Sequence, residues 1–256
     1  MVLLNRRYVM VARCTSWAYV AAVLLLTGVS TATAKYSGGT GEPNDPYQIA
    51  TAADLIVLGE TPDDYDKHFI LTADIDLDPN LPGRKVFDKA VIAPAVSLDA
   101  WDRLQGTPFT GVFDGRGHTI SHLTISGAGC LGLFGVLGQS LNTGCEVKNV
   151  RMTDVSVSGS GECVAALVGY SCRGSINSSS SIGVVTGCRM VGGLVGASDI
   201  MGTIADSDSA GSVSGEAFVG GIVGVNTWGG VTRSYSTASV CGTGGGVGGL
   251  VGYSEG

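Results

Sequence analysis

Apolar and polar positions in the second half of the chain recur with a fixed period. Nearly the same tetrapeptide occurs at Ala166-Leu167-Val168-Gly169, Gly193-Leu194-Val195-Gly196, Gly221-Ile222-Val223-Gly224 and Gly249-Leu250-Val251-Gly252, its closing glycines 27, 28 and 28 residues apart. A second stretch keeps the same phase, Ile176-x-x-Ser179-x-Ser181, Ile204-x-x-Ser207-x-Ser209 and Val231-x-x-Ser234-x-Ser236. A third follows as Val185-Thr186-Gly187, Val213-Ser214-Gly215 and Val240-Cys241-Gly242. Short β-like segments separated by Gly, Ser, Asn or Asp, repeated at this period, predict a solenoid in which each coil buries its apolar face against its neighbours. Glycine fills roughly a quarter of positions from residue 160 onward, which excludes helical repeats.

Residues one period apart should stack. Val185, Val213 and Val240 then form an inward aliphatic row, and Ser179, Ser207 and Ser234 a hydroxyl row that needs hydrogen bonds to corner backbone or to one another. In Val191-Gly192-Gly193-Leu194-Val195, strict alternation would turn Leu194 outward unless the glycine pair bends the strand. The bend is the expected reading.

Earlier coils are less regular. Ile120-x-x-Leu123-x-Ile125 matches the second stretch, Gly132 to Gly135 matches the anchor, and Val147 to Gly159 repeats the later pattern with one extra residue. The 34-residue gap from Gly135 to Gly169 implies a loop around Gly138 to Gly144. The first coil has an edge that must be covered. Thr51-Ala52-Ala53-Asp54 reads as a helix start, with Ala52 to Leu58 as a short cap over that end. The chain stops halfway through a repeat, at Ser254-Glu255-Gly256, so the last coil is expected to be continued by further chain or covered by a partner.

The first 34 residues read as an export signal: Arg6, Arg7 and Arg13, an apolar core from Ala18 to Val29, and Ala32-Thr33-Ala34 before Lys35. The apolar run falls short of the ~20 residues needed to span a bilayer. The net charge of the whole chain is -7, and removing three arginines and no acid brings it near -10. Such a surface disfavours nucleic acid and anionic lipid as partners.

Six cysteines remain after this segment: Cys130, Cys145, Cys163, Cys172, Cys188 and Cys241. None forms a Cys-x-x-Cys pair, so zinc is disfavoured. Cys130 and Cys163 precede anchors on adjacent coils, within disulfide reach at a coil spacing of ~4.8 Å. A disulfide and two buried thiols both fit.

Candidate chemistry is sparse. Asp206 and Asp208 are the best carboxylate pair, yet they lie on the same side of one strand and Asp206 aligns with Ser178 and Arg233. Sugar hydrolysis needs carboxylates on opposite sides of a bond; these two are expected to be solvated. His68, His118 and His122 form no His-Glu-x-x-His, and no Gly-x-Ser-x-Gly elbow exists. Asp74-x-Asp76-x-Asp78-x-Asn80 mimics the start of a calcium loop, but Pro79 and Lys85 occupy positions that need Gly and Glu. A strand with Ile75 and Leu77 inward is expected instead, with a weak, partner-assisted calcium site as the alternative. Tyr170 and Tyr253 share a repeat position, but Ala197 and Val225 interrupt any aromatic ladder. For Trp228, in a corner turn, the two readings are stacking on a glycan and covering the coil; covering is expected.

The four anchors, the segment from Tyr47-Gln48-Ile49 through the short helix to Leu71-Thr72-Ala73-Asp74-Ile75-Asp76-Leu77, and Phe109-Thr110-Gly111-Val112-Phe113-Asp114-Gly115-Arg116-Gly117-His118-Thr119-Ile120 together give residues 36–256 a family likeness. This region resembles bacterial surface and secreted proteins bearing the GLUG motif. The resemblance implies a right-handed parallel β-helix of the kind found in adhesin-like proteins and beside the catalytic domain of some immunoglobulin A proteases, with no known catalytic residue in the motif.

The expected fold is therefore all-β, a three-sided parallel β-helix with coils of about 28 residues and a short N-terminal capping helix. Residues 1–34 would be the signal peptide, 35–108 the cap and irregular coils, and 109–256 the repeats. The expected function is an exported, non-catalytic surface scaffold, stalk or adhesin-like module. The alternatives are an accessory region of a larger secreted protease or carbohydrate-active enzyme, or a glycan-binding β-helix. No catalytic residue, metal or cofactor is expected; a cell-surface protein or glycan is the expected partner.

Overall fold

The computed structural model describes residues 35–95, 105–139 and 144–256. Residues Ala34–Gly256 form one compact unit. The expected export signal lies outside the described residues, as do positions 140–143 of the expected loop.

The chain winds into a parallel β-helix. Strands from successive coils stack into sheets of seven, eight, five and three strands, and all pairings between these strands are parallel. One regular coil consists of Ser175–Asn177, Ser180–Thr186, Arg189–Gly192 and Val195–Asp199. The next repeats it as Thr203–Ala205, Asp208–Gly215, Ala217–Gly220 and Val223–Thr227. Ser181 pairs with Ser209, Val185 with Val213 and Val195 with Val223, as the repeat predicts.

Four strands per coil replace the three expected segments because the anchor breaks in two. Val191, Leu194 and Val195 are all fully buried, which strict alternation forbids. The chain bends at Gly193-Leu194 and turns the leucine inward. Only glycine fits there: a Cβ on Gly192 would lie 1.8 Å from the Val195 carbonyl oxygen, and one on Gly193 2.2 Å from that of Gly221.

The serines explain the second stretch. Ser179 and Ser207 Oγ donate to the carbonyls of Asn177 and Ala205 in their own coils, at 2.9 and 2.7 Å. Each also accepts a backbone N–H from the preceding coil, Val150 on Ser179 at 3.3 Å and Ser179 on Ser207 at 3.2 Å. Ser207 N–H continues the ladder to Ser234 Oγ at 3.2 Å. A buried hydroxyl thus satisfies a corner amide that the turn leaves without a strand partner. The second row reaches across the coil: Ser181 Oγ donates to the Gly193 carbonyl at 2.8 Å, and Ser209 Oγ to that of Gly221. A Cβ on Gly221 would fall 2.3 Å from Ser236 Oγ. Anchor glycine and stretch serine are therefore two sides of one contact.

The extra residue in Arg151–Gly159 forms a bulge. Met152 pairs with Ser181 but Val155 with Gly183, and Asp154 takes a φ of 53°.

The helix Ala52–Gly59 carries a complete capping box: the Asp54 N–H donates to Thr51 Oγ1 at 3.1 Å and the Thr51 N–H to Asp54 Oδ2 at 2.9 Å. It buries Leu55 and Leu58 in the same core as Tyr36 and Phe69. That core then passes through Phe109, Phe113 and Phe134 before giving way to aliphatic rows. In the final coil Leu250 and Val251 are half-buried, whereas Ile222 and Val223 one coil earlier are fully buried.

Candidate functional site

The corner between the seven- and eight-stranded sheets is a two-residue turn repeated in every regular coil. Its second residue, Ser179, Ser207 or Ser234, points inward to the ladder. Its first residue is left-handed: Asn149, Ser178, Asp206 and Arg233 have φ of 55°, 49°, 52° and 47°. Asn and Asp tolerate this region; arginine and serine adopt it less readily. The turn sends the first side chain of each pair outward, so the corner carries a column of polar groups at the coil spacing.

Beside that column lies the outward row of the eight-stranded sheet. Arg151, Ser180, Asp208 and Tyr235 pair in register. The two rows enclose a trough of about 180 Å³, lined by Asn149, Arg151, Ser178, Ser180, Asp206 and Asp208 among others. Asp206 and Asp208, expected as solvated neighbours, share this trough but differ in character. Arg233 grips Asp206 with two hydrogen bonds of 2.6 Å, and that contact holds the Asp206 carboxyl below the usual carboxylate range. Asp208 is half-buried; burial pushes its carboxyl up, and the Arg151 charge opposes the shift. Both carboxylates rise from one coil, two residues apart, one from each row. Asp206 is held by Arg233, so the two are not both free as a glycosidase pair must be.

The aspartates of the calcium-like segment are engaged elsewhere. Asp76 Oδ1 accepts the Asp78 N–H and Asp78 Oδ1 the Asn80 N–H, both at 2.9 Å, forming consecutive Asx turns. Asp74 Oδ1 accepts the Thr119 N–H at 2.8 Å and lies 3.1 Å from His118 Nδ1. Ile75 and Leu77 point inward, as expected. His122 Nδ1 sits 2.8 Å from Asp76 Oδ1 and its Nε2 3.9 Å from Asp154 Oδ2, so one imidazole bridges three coils. The Asp76 hydrogen bond raises the His122 pKa. His68 begins the strand His68–Leu71, apart from both clusters. Among the described residues no group of three or more His, Cys, Asp or Glu side chains is arranged to hold a metal ion.

Cys130 and Cys163 stack as their spacing suggests: Leu131 pairs with Val164, and the Leu131 N–H donates to the Cys163 carbonyl at 2.8 Å. Both are buried free thiols, and a hydrogen bond with Cys130, then burial, holds the Cys163 thiol well above its ordinary value. Tyr170, Ala197, Val225 and Tyr253 lie in one in-register row. Tyr170 OH donates to Asp199 Oδ2 at 3.1 Å. Trp228 does not cover a coil: its corner residue has φ 55° and the indole is 65% exposed. Left-handed backbone turns the side chain away from the core.

Arg151 and Tyr235 went unnoticed as site residues in the sequence. The signal was present, since both lie one coil from a member of the Ser180–Asp208 row, but the extra residue at Asp154 shifts the phase of Arg151.

No family model matches this chain. Over 170 residues, 66% of its length, it is 37% identical to the halomucin of Haloquadratum walsbyi, and the match spans only 2% of that protein. The crystal structure of a "putative immunoglobulin A1 protease" from Bacteroides ovatus superposes with a TM-score of 0.62, covering 86% of this chain and 65% of that one at 22% identity. This second likeness is one of fold. Among the described residues no helix is long and apolar enough to cross a membrane.

Proposed function

We propose that this chain is a non-catalytic β-helix module of the cell exterior, a scaffold, stalk or adhesive segment built from GLUG-type repeats and exported by residues 1–34. One observation carries the reading. The residues that recur in the sequence, anchor glycines and stretch serines, are mostly engaged in contacts across a coil or between neighbouring coils, which supports a use of the repeated chemistry for length and stiffness. The likeness to a halomucin supports a place at the cell exterior, and the small share of that protein it spans fits a module within a larger assembly. Of the two trough carboxylates one is already neutralised by Arg233, which supports binding over bond cleavage.

Export is tested by expressing the chain with its own first 34 residues and sequencing the N-terminus of any protein found outside the cell. The expected mature chain begins at Lys35. Retention of an unprocessed chain in the cytoplasm would remove this proposal.

A further inference from the structure

The corner trough holds more polar groups than its own contacts use. Asp206 is tied to Arg233 and Asn149 Nδ2 donates to Asp114 Oδ1 at 2.9 Å. Around them stand the Arg151 guanidinium, the Ser178 and Ser180 hydroxyls and the half-buried Asp208 carboxylate. Donors and acceptors converge on a space of about 180 Å³. Charge is balanced: Arg151 and Arg233 face Asp206 and Asp208, so neither an anion nor a cation gains from the site as a whole. At one end, in register with Asp208, the Tyr235 ring is 61% exposed. Ring faces of this kind pack against flat apolar surfaces while their rims hydrogen-bond.

We propose that this trough binds an uncharged, hydroxyl-rich ring, one sugar unit of a neutral glycan. Separate ring hydroxyls would meet the Asp208 carboxylate and the Arg151 guanidinium, which lie two coils apart with Ser180 between them and supply acceptors and paired donors respectively. The Ser178 and Ser180 hydroxyls adjust to either role, and Tyr235 offers a stacking face for the adjoining unit. The coil spacing of ~4.8 Å lets a linear glycan run along the helix axis past successive rows. The burial that raises the Asp208 carboxyl places that group where a ligand hydroxyl replaces lost water.

The site extends the surface-module reading and rests on it only in that the glycan is held and not cut. The test is a titration of the whole isotopically labelled chain, followed by NMR, with neutral hexasaccharides of glucose, mannose and N-acetylglucosamine, and with an oligogalacturonate as the charged control. At least one neutral sugar should shift the amides of Arg151, Ser180, Asp208 and Tyr235. Affinity should fall at least tenfold in Asp208→Ala and in Tyr235→Ala, both with thermal melts close to wild type; Arg151→Gln serves as the third variant if either melts early. No shift with any neutral sugar, binding of the charged control alone, or equal affinity in the variants would each overturn the site and leave the export proposal standing. Release of sugar fragments during the titration would keep the site and refute the non-catalytic reading.

Discussion

The coils up to residue 139 and the coils from residue 144 onward solve the same packing problem with different residues. From Tyr36 to Phe134 the interior is filled by aromatic rings in edge and tilted contacts, such as Tyr36–Phe69 at 5.6 Å, Phe109–Phe134 at 5.2 Å and Phe113–Phe134 at 5.3 Å between centroids. Beyond Phe134 none of the described core residues is aromatic. Valine, isoleucine, leucine, serine and glycine take over, and the walls approach until Ser181 touches the Gly193 carbonyl across the coil. Rings fill a wide, irregular interior in a single arrangement. Small residues fill a narrow one, and the solution can be copied coil after coil. In the later coils, where small residues let a serine reach the opposite backbone, each layer pairs in register with the next.

The largest expected effect tests the aromatic region. Phe134→Ala should cost about 3–5 kcal/mol, the usual loss for emptying a buried phenylalanine site, read by chemical denaturation. A loss below 1 kcal/mol, by the same rule, would mean that the rings do not carry this core. Gly196→Ala should follow at about 3 kcal/mol, the upper end for overpacking, because the new Cβ would meet the Gly169 carbonyl oxygen at 2.5 Å and the Val164 amide nitrogen at 2.8 Å. Coils exchange support only with neighbours, so hydrogen exchange in this variant should rise around residues 163–224 while the strand His68–Leu71 stays protected. Uniform loss of protection along the chain would show that the two regions are not separable.

Ser207→Ala removes one rung of the ladder. It leaves the buried Ser179 N–H without its acceptor, while the Ala205 carbonyl keeps the Ser178 N–H, and should cost about 1–3 kcal/mol by the same denaturation measurement. A neutral substitution would mean that water reaches the corner and replaces the hydroxyl.

The smallest effect concerns pH. The Asp76 hydrogen bond raises His122, so this contribution to stability is full below the ordinary imidazole value and disappears as pH rises through the raised one. Asp76 is lowered chiefly by the Asp78 N–H and then by His122, so its contribution is present above the ordinary carboxylate value and is lost as pH falls through the lowered one. The pair is at full strength between these limits. An NMR pH titration should show the His122 midpoint falling in Asp76→Asn; an unchanged midpoint would mean that the two side chains do not meet in solution. Because both groups are exposed, the effect on global stability is slight.

The repeats were legible because stacking forces each interior position to recur: Val185 sits on Val213, and Ser179 on Ser207. The capping helix was legible because Thr51 and Asp54 make a local reciprocal contact that needs nothing from the rest of the chain. The fourth strand of each coil was less so. Val191 and Val195 point inward on either side of a bend whose geometry depends on carbonyls of the neighbouring coil.

The trough was the least legible part. Its two aspartates were visible as a pair and Arg233 as the residue aligned with Asp206, but the ion pair between them, and the Arg151 and Tyr235 of separate coils that flank Asp208, were not. Outward residues need not repeat, since solvent accepts nearly any polar group there. The sequence alone therefore determined what each coil does to the next, through periodic apolar, serine and glycine positions whose partners are their own copies. Tertiary structure alone decided which surface groups converge, because that depends on corner backbone, one bulge at Asp154 and the accumulated register of several coils.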